Sequence, residues 1–422
     1  MNKYTRLLEN IKKKKASIAV IGLGYVGLPL AISLAKKGFV VHGFGRTPKN
    51  IKALSQGITN MPEYEDDLTK VLQSKKLTVQ TISQKGLQEN DIYIVCVPTP
   101  VNKNKKPDLE SLESVAHNLS RLNLDGKLLI NESTVAPYTT RKLFGKLSKD
   151  FFLVCSPERI DPGSSKSVES IPKVIGAINE DSLKLGVTLY EQILEKKLVT
   201  VTSMEAAELT KMLENTYRAV NIALVNEFAK LADSIGIDVL DVINAANSKW
   251  SFAAHYPGIG VGGHCIPVDP YYVLQLAKKK NVSMQVTKTS LEQNESMPQY
   301  IFEKLREHYK KGMKILIYGI TYKKNVADLR ESPVLLFTQL LEKNKIPFAV
   351  YDPLIAKRDI TKLGLNAGVL EHVDILVVGS DHNELSQDYN TLITNDTIVI
   401  DGRNYFTKPI GKMVIGVGRK LQ

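Results

Sequence analysis

The stretch that most limits what this chain can fold into is 17–45. The apolar run Ser17-Ile-Ala-Val-Ile21 flows into Gly22-x-Gly24-x-x-Gly27, residues 28–37 carry helical apolar spacing closed by Gly38, and Phe39-Val-Val-His-Gly-Phe44 reads as a second strand. A lone glycine triplet says little. A strand, the glycines, a helix and a second strand within about thirty residues make the dinucleotide-binding fingerprint. Gly22 supplies the tight turn, Gly24 admits the pyrophosphate and Gly27 lets the helix pack on the strand. Tyr25 and Val26 lie between them, where the helix N-terminus meets the phosphates.

An acidic residue is expected at the end of the second strand to hold the adenosine ribose, yet the chain has Gly45-Arg46-Thr47. Without that carboxylate, Arg46 suits the 2′-phosphate of NADP. Alternatively, NAD is held by other contacts and Arg46 stacks on adenine. The cofactor is read as NAD(P).

Strand-like runs at 91–97, 127–130, 151–155, 173–177 and 198–201 extend a doubly wound α/β domain to residue 202. Loops after strand ends face the ligand crevice of such sheets. Three stand out: Pro98-Thr99-Pro100, Asn131-Glu-Ser133-Thr134-Val135 and Ser156-Pro-Glu158-Arg159. Each also fits ordinary strand-exit turn chemistry.

The pattern from 203 to about 235 is one uninterrupted helix. Lys211 and Asn215, four apart, share a face; Glu208 lies one turn before Lys211 and could form a surface ion pair with it. Asn226-Glu227 reads as a buried polar pair. After a shorter helix at 238–247 comes Tyr256-Pro-Gly258-Ile-Gly260-Val-Gly262-Gly263-His-Cys265, leading into a helix at 268–280. Glycines let a backbone approach a ligand closely. A thiol near a helix N-terminus is activated, although a free cysteine is more often a small core residue. The last third resumes αβ alternation, with strands from 314 and at 348–351, 375–378 and 397–400, a helix at 334–343, and no glycine fingerprint. Its 325–333 loop carries basic, acidic and hydroxyl groups apt for a phosphate-bearing ligand.

Composition narrows the function. The net charge of +12 arises from short lysine clusters at 12–15, 103–106, 278–280 and 323–324 without interleaved aromatics, which argues against nucleic-acid binding. Cys96, Cys155 and Cys265 show neither disulfide nor metal-ligand spacing, so no metal is expected, and a reducing, cytoplasmic setting is. Cys96 and Cys155 sit in strand-like runs and read as core. No apolar run is long enough for a bilayer.

Three blocks, in order, resemble the UDP-glucose/GDP-mannose dehydrogenase superfamily over essentially the whole chain: Glu208-Leu-Thr-Lys211-x-x-x-Asn215, the glycine loop with Cys265, and Tyr322-Lys323-x-x-x-x-Asp328-x-Arg330-Glu-Ser-Pro333. The resemblance implies two Rossmann-like domains, 1–202 for the dinucleotide and 306–422 for a UDP-sugar, joined by a helical dimerisation domain at 203–305. It implies oxidation of a nucleotide-sugar C6 hydroxymethyl to a carboxylate with two cofactor molecules in succession. Cys265 matches the nucleophile, Lys211 and Asn215 groups near the reacting oxygen, and Asp269 the carboxylate beside them. Thr134 and Glu158 match residues that hold a water, with Glu158 a candidate base. Pro98, Thr99, Ser133, Thr134 and Arg330 fall at cofactor positions. Arg159, Tyr256, Gly258, Gly262, Gly263, Lys323 and Arg403 fall with Glu158, Lys211 and Asn215 at substrate positions. The 156–163 motif and the opening Leu7-Leu-Glu-Asn-Ile look most like enzymes for UDP-N-acetylglucosamine, with the mannosamine and galactosamine epimers next. A two-electron β-hydroxyacid dehydrogenase needs neither Cys265 nor a third αβ domain. A non-catalytic nucleotide-sugar sensor needs none of the reactive groups.

Overall fold

The computed structural model describes residues 2–102, 104–160 and 167–421, so Lys103 of the second lysine cluster and Asp161, Pro162 and Gly163 of the 156–163 motif lie outside the described residues. The chain forms two compact units, Met1–Glu214 with Tyr271–Leu276, and Asn215–Pro270 with Ala277–Gln422.

The first unit is built on β1 (Ser17–Ile21), β2 (Val40–Gly45), β3 (Leu77–Thr81), β4 (Ile92–Val95), β5 (Leu128–Asn131), β6 (Phe152–Cys155), β7 (Val174–Ala177) and β8 (Val199–Thr200). They lie in the order β3-β2-β1-β4-β5-β6-β7-β8. Neighbours run parallel except β6 and β7. Alternation along β1 sends Ile18 and Val20 to one core and Ala19 and Ile21 to the other. Both faces are covered, so the central strands read as unbroken apolar runs. Edge strand β3 does not: three of its five residues are polar, and the sequence reading passed over it. Cys96 and Cys155 are buried as expected.

The helix Met204–Ile235 runs uninterrupted for 32 residues. Leu209, Leu213, Tyr217, Leu224, Phe228, Leu231 and Ile235 recur along one side of it and are all exposed. Helix spacing thus predicts an apolar face that these cores leave uncovered.

The second unit carries β9 (Ile315–Tyr318), β10 (Ala349–Tyr351), β11 (Ile375–Val378), β12 (Ile398–Asp401), β13 (Met413–Gly416) and β14 (Arg419–Leu421), in the order β10-β9-β11-β12-β13-β14. The sheet is parallel up to the antiparallel β13–β14 pair. Ile317 and Ile400 of this sheet share one core with Val225 and Ala229 of the long helix, with Val239 and Ile243, and with Ile301 and Phe302. Trp250, the only tryptophan, is 96% exposed. Among the described residues no helix is long and apolar enough to cross a membrane.

Candidate active site

At the carboxyl end of β1, Gly22 has φ +100°, and a Cβ there would collide with the Cys96 backbone. A Cβ on Gly27 would strike the Gly22 carbonyl oxygen, whereas one on Gly24 would meet nothing within 4 Å. That open space is what a pyrophosphate approaching the backbone needs. No side chain caps the start of the helix Gly27–Lys36; there Leu28 N–H donates to the Gly24 carbonyl (3.1 Å) and Pro29 has no N–H, so the positive end of the helix dipole is what it offers an anion. A dinucleotide therefore fits these residues. The neighbouring loops are tied together: Val97 N–H donates to Ser133 Oγ (3.0 Å), and Thr99 Oγ1 donates to the Thr134 carbonyl (2.6 Å). At the end of β2, Arg46 is exposed, and a Cβ on Gly45 would lie 2.5 Å from Ile51 Cδ1.

Beyond β5 and β6 lies a buried ionic cluster. Lys173 Nζ donates to Glu132 Oε2 (3.0 Å) and Glu158 Oε2 (2.5 Å), and Tyr190 donates its hydroxyl proton to Glu132 Oε1. The other Glu158 oxygen accepts from the N–H groups of Arg159 (2.7 Å) and Ile160 (2.8 Å). Burial opposes the charge on Glu158, but the Lys173 ammonium and these donors outweigh it and bring its carboxyl down to about 2. Burial dominates at Glu132 and pushes it up to about 7 against the pull of Lys173. One ammonium thus serves two carboxylates, and the more buried one is ready to hold a proton near neutrality. Glu158 is so placed that it fixes the 158–160 turn, whose Arg159 pairs with Glu214 (2.7 Å).

Glu208 does not form a surface pair with Lys211. Its side chain is fully buried and accepts from the backbone N–H groups of Tyr138 and Thr140, both at 2.8 Å. It thereby satisfies donors at the start of the helix Thr139–Phe144, just past Thr134. Burial raises its carboxyl to about 7 despite those bonds. Asn226 and Glu227 also part company: Glu227 is exposed, while buried Asn226 donates to Asn294 Oδ1 (3.0 Å) and accepts from Gly258 N–H (3.1 Å). Asn226 instead anchors the entrance of the glycine loop.

Lys211, Asn215 and Asp269 are buried. Asn215 Nδ2 donates to Asp269 Oδ2 (2.5 Å), so the structure brings these two motif residues together. Cys265 is half-buried, and its carbonyl accepts from Val268 N–H (3.2 Å) and Asp269 N–H (2.8 Å) at the entry of the helix Asp269–Lys279. The close approach that the loop glycines permit is to the protein itself. A Cβ on Gly262 would lie 2.5 Å from Tyr322 Cβ and 2.6 Å from the Glu331 carbonyl oxygen; one on Gly263 would lie 2.7 Å from the Tyr322 ring. Gly263 N–H also donates to the Arg330 carbonyl (3.0 Å).

In the second unit, Arg403 Nε and Nη2 donate to the carbonyls of Gly379 and Tyr322, both at 2.8 Å. Arg330 forks onto Asp328, with Nε 2.8 and 2.9 Å from the two carboxylate oxygens. Lys323 and Arg403 are half-buried, Tyr256 and Arg330 exposed. Sequence reasoning missed Glu132, Lys173 and Tyr190 as a cluster. It also missed buried His382, whose Nδ1 accepts from Asn325 N–H (2.9 Å) and whose Nε2 lies 3.4 Å from Asp352 Oδ2. A lysine heading the apolar run 173–177 was the one available signal.

The NAD-binding domain of the UDP-glucose/GDP-mannose dehydrogenase family matches residues 16–194, its central domain 205–296 and its UDP-binding domain 316–408. The UDP-N-acetyl-D-mannosamine dehydrogenase of Methanocaldococcus jannaschii is 36% identical over 410 residues, covering 93% of each chain. A UDP-N-acetyl-D-glucosamine 6-dehydrogenase of Pseudomonas aeruginosa is 36% identical over 362 residues, 82% of this chain and 85% of the relative. The solved UDP-D-ManNAc dehydrogenase of Pyrococcus horikoshii superposes with a TM-score of 0.86 at 33% identity, covering 96% of this chain and 99% of that one. Because all three domains match in sequence order and a relative is 36% identical across 93% of the chain, the chain belongs to the UDP-glucose/GDP-mannose dehydrogenase family and is an oxidoreductase acting on a UDP-sugar.

Proposed function

We propose that this enzyme oxidises the C6 hydroxymethyl of a UDP-N-acetylhexosamine to the uronate in two hydride transfers, with Cys265 as the nucleophile of the second. The observation that carries this is the half-exposed Cys265 at a helix entry beside Asp269, itself bonded to Asn215. A nicotinamide dinucleotide held at the Gly22–Gly27 turn would supply the hydride acceptor for both oxidations. In the first, Lys211 stabilises the alkoxide formed as the hydroxyl proton passes to water. The Cys265 thiolate then adds to the C6 aldehyde, giving a thiohemiacetal whose C–H can leave as hydride; water hydrolyses the resulting thioester to the acid and frees the thiol. Glu158, low in pKa and with both oxygens engaged, acts in this reading as an anchor of its turn rather than as the base.

The mannosamine epimer is the first reading of the substrate, because the relative covering 93% of the chain bears that name; the glucosamine epimer is the second, on an equal identity over 82%. NAD is the proposed acceptor, since the matched domain is an NAD-binding one. NADP remains the second reading, because Ile51 fills the space that a side chain at Gly45 would need and Arg46 stands beside it. The exposed apolar side of Met204–Ile235 supports a homodimer through that helix. A panel of UDP-sugars with both cofactors tests all but the last point. Two cofactors reduced per sugar are expected; one would indicate a two-electron enzyme and none a sensor. Cys265→Ser should lose carboxylate turnover, and full acid production by that variant would sink the assignment.

A further inference from the structure

The glycine loop and the turn after β9 are interlocked. Gly262 and Gly263 lie so close to Tyr322 that neither could carry a side chain without displacing it, and Gly260, at φ +142°, stands in the same relation to Pro333 Cβ at 2.7 Å. Gly263 N–H donates to the Arg330 carbonyl (3.0 Å), and Ile259 N–H to the Gly402 carbonyl (2.8 Å). The turn is held from behind as well: Arg403 Nη2 donates to the Tyr322 carbonyl (2.8 Å), and His382 Nδ1 accepts from Asn325 N–H (2.9 Å). Asp352 accepts from Ile320 N–H (2.8 Å) and Thr321 N–H (3.3 Å). Tyr322 therefore sits between a braced backbone and the loop that delivers Cys265, directly beside Lys323 in the UDP-binding domain. Closely packed side chains transmit displacement because they have no slack.

We propose that Tyr322 is a positioning residue that couples occupancy of the UDP site to the placement of Cys265, so that the thiol is presented for reaction only when the nucleotide is bound. The inference rests on the UDP-binding assignment and not on which sugar is oxidised. The uridine diphosphate moiety alone carries the signal, through contacts in the 322–333 turn, and needs no contact with the thiol.

Alkylation of Cys265 by iodoacetamide reads the coupling, because Cys96 and Cys155 are buried and do not compete. UDP, which lacks any C6 carbon, is added at saturation while its own affinity is measured calorimetrically. In the wild-type protein, UDP should raise the labelling rate by about fivefold or more, the scale of a coupling between sites, and a fall in the rate would overturn the proposal. In Tyr322→Ala the change should fall below about twofold with UDP still bound, and Tyr322→Phe, which keeps the ring, should behave as the wild type. An unchanged labelling rate in UDP-saturated wild-type protein would overturn the proposal. So would an equal response in UDP-bound Tyr322→Ala, which would mean that UDP acts on the thiol without Tyr322. If Tyr322→Ala does not bind UDP, Gly262→Ala displaces the same contact from the opposite side and must show the same loss of response. Cofactor stoichiometry on the wild-type enzyme tests the reaction separately.

Discussion

The two nucleotide-type sheets begin alike and then diverge. β1 ends at Gly22, whose N–H donates to the Phe44 carbonyl; β9 ends at Gly319, whose N–H donates to the Tyr351 carbonyl, both at 2.8 Å. Both glycines have positive φ, +100° and +78°. Past that point the first turn opens onto space at Gly24, while the second is filled by its own side chains. The acidic residue missing after β2 has a counterpart after β10, Asp352, but that carboxylate is 4% exposed and spent on the amides of Ile320, Thr321 and Leu354. An acid at the end of a second strand therefore marks a ribose site only where the first turn leaves it accessible. One turn leaves space beside its backbone, and the other is packed with its own side chains.

The largest test of that contrast is in the first unit's ionic cluster. Lys173→Met would leave Glu132 and Glu158 buried without a counter-ion and should cost about 3–5 kcal/mol in denaturant unfolding. A loss under about 1 kcal/mol would show that the cluster is not what steadies these strand ends. Next in size, Gly24→Val puts a side chain into the open space, where the fold tolerates it. NADH affinity should drop roughly a hundredfold, about 2.7 kcal/mol, with UDP affinity kept. Equal affinity for NADH would mean that the opening is not the phosphate seat. Asp352→Asn should do the reverse in the second unit. It should lose about 2 kcal/mol of stability by weakening charge-assisted bonds to backbone amides, with NADH affinity unchanged.

The smallest effect per step is a slope with pH. Glu132 has its folded pKa raised from 4.5 to about 7, so its neutral form favours folding. That contribution is fully present below 4.5 and is lost as pH rises through about 7. Wild-type stability should fall across this window by at most about 1.4 kcal/mol per pH unit relative to Glu132→Gln. Parallel curves for the two proteins would place the titrating proton elsewhere. Glu158, lowered to about 2, acts oppositely, its contribution disappearing only as pH falls from 4.5 toward 2.

Legibility in the sequence followed local pattern. Strands buried on both faces, such as β1, β4 and β11, and the uninterrupted 204–235 helix carry their own periodicity. Edge strand β3 and the short β13–β14 pair, which closes on Arg419-Lys-Leu421, do not. Cys265, Asn215 and Asp269 could be named because each sits in a motif. Glu132, Glu158, Lys173 and Tyr190 span 58 residues and meet only because β5, β6 and β7 are neighbours in the sheet. The glycines of the cysteine loop were legible as positions of close approach, but what they approach, Tyr322, lies some sixty residues further on.

Trp250 has a spectroscopic consequence. Because the only indole is already in water, its emission has little room to shift red when either core melts, so the unfolding experiments above need circular dichroism or tyrosine signals. The same indole becomes useful in the opposite direction. A blue shift as protein concentration rises would mean that a surface has come down over Trp250, making it an internal dye for self-association.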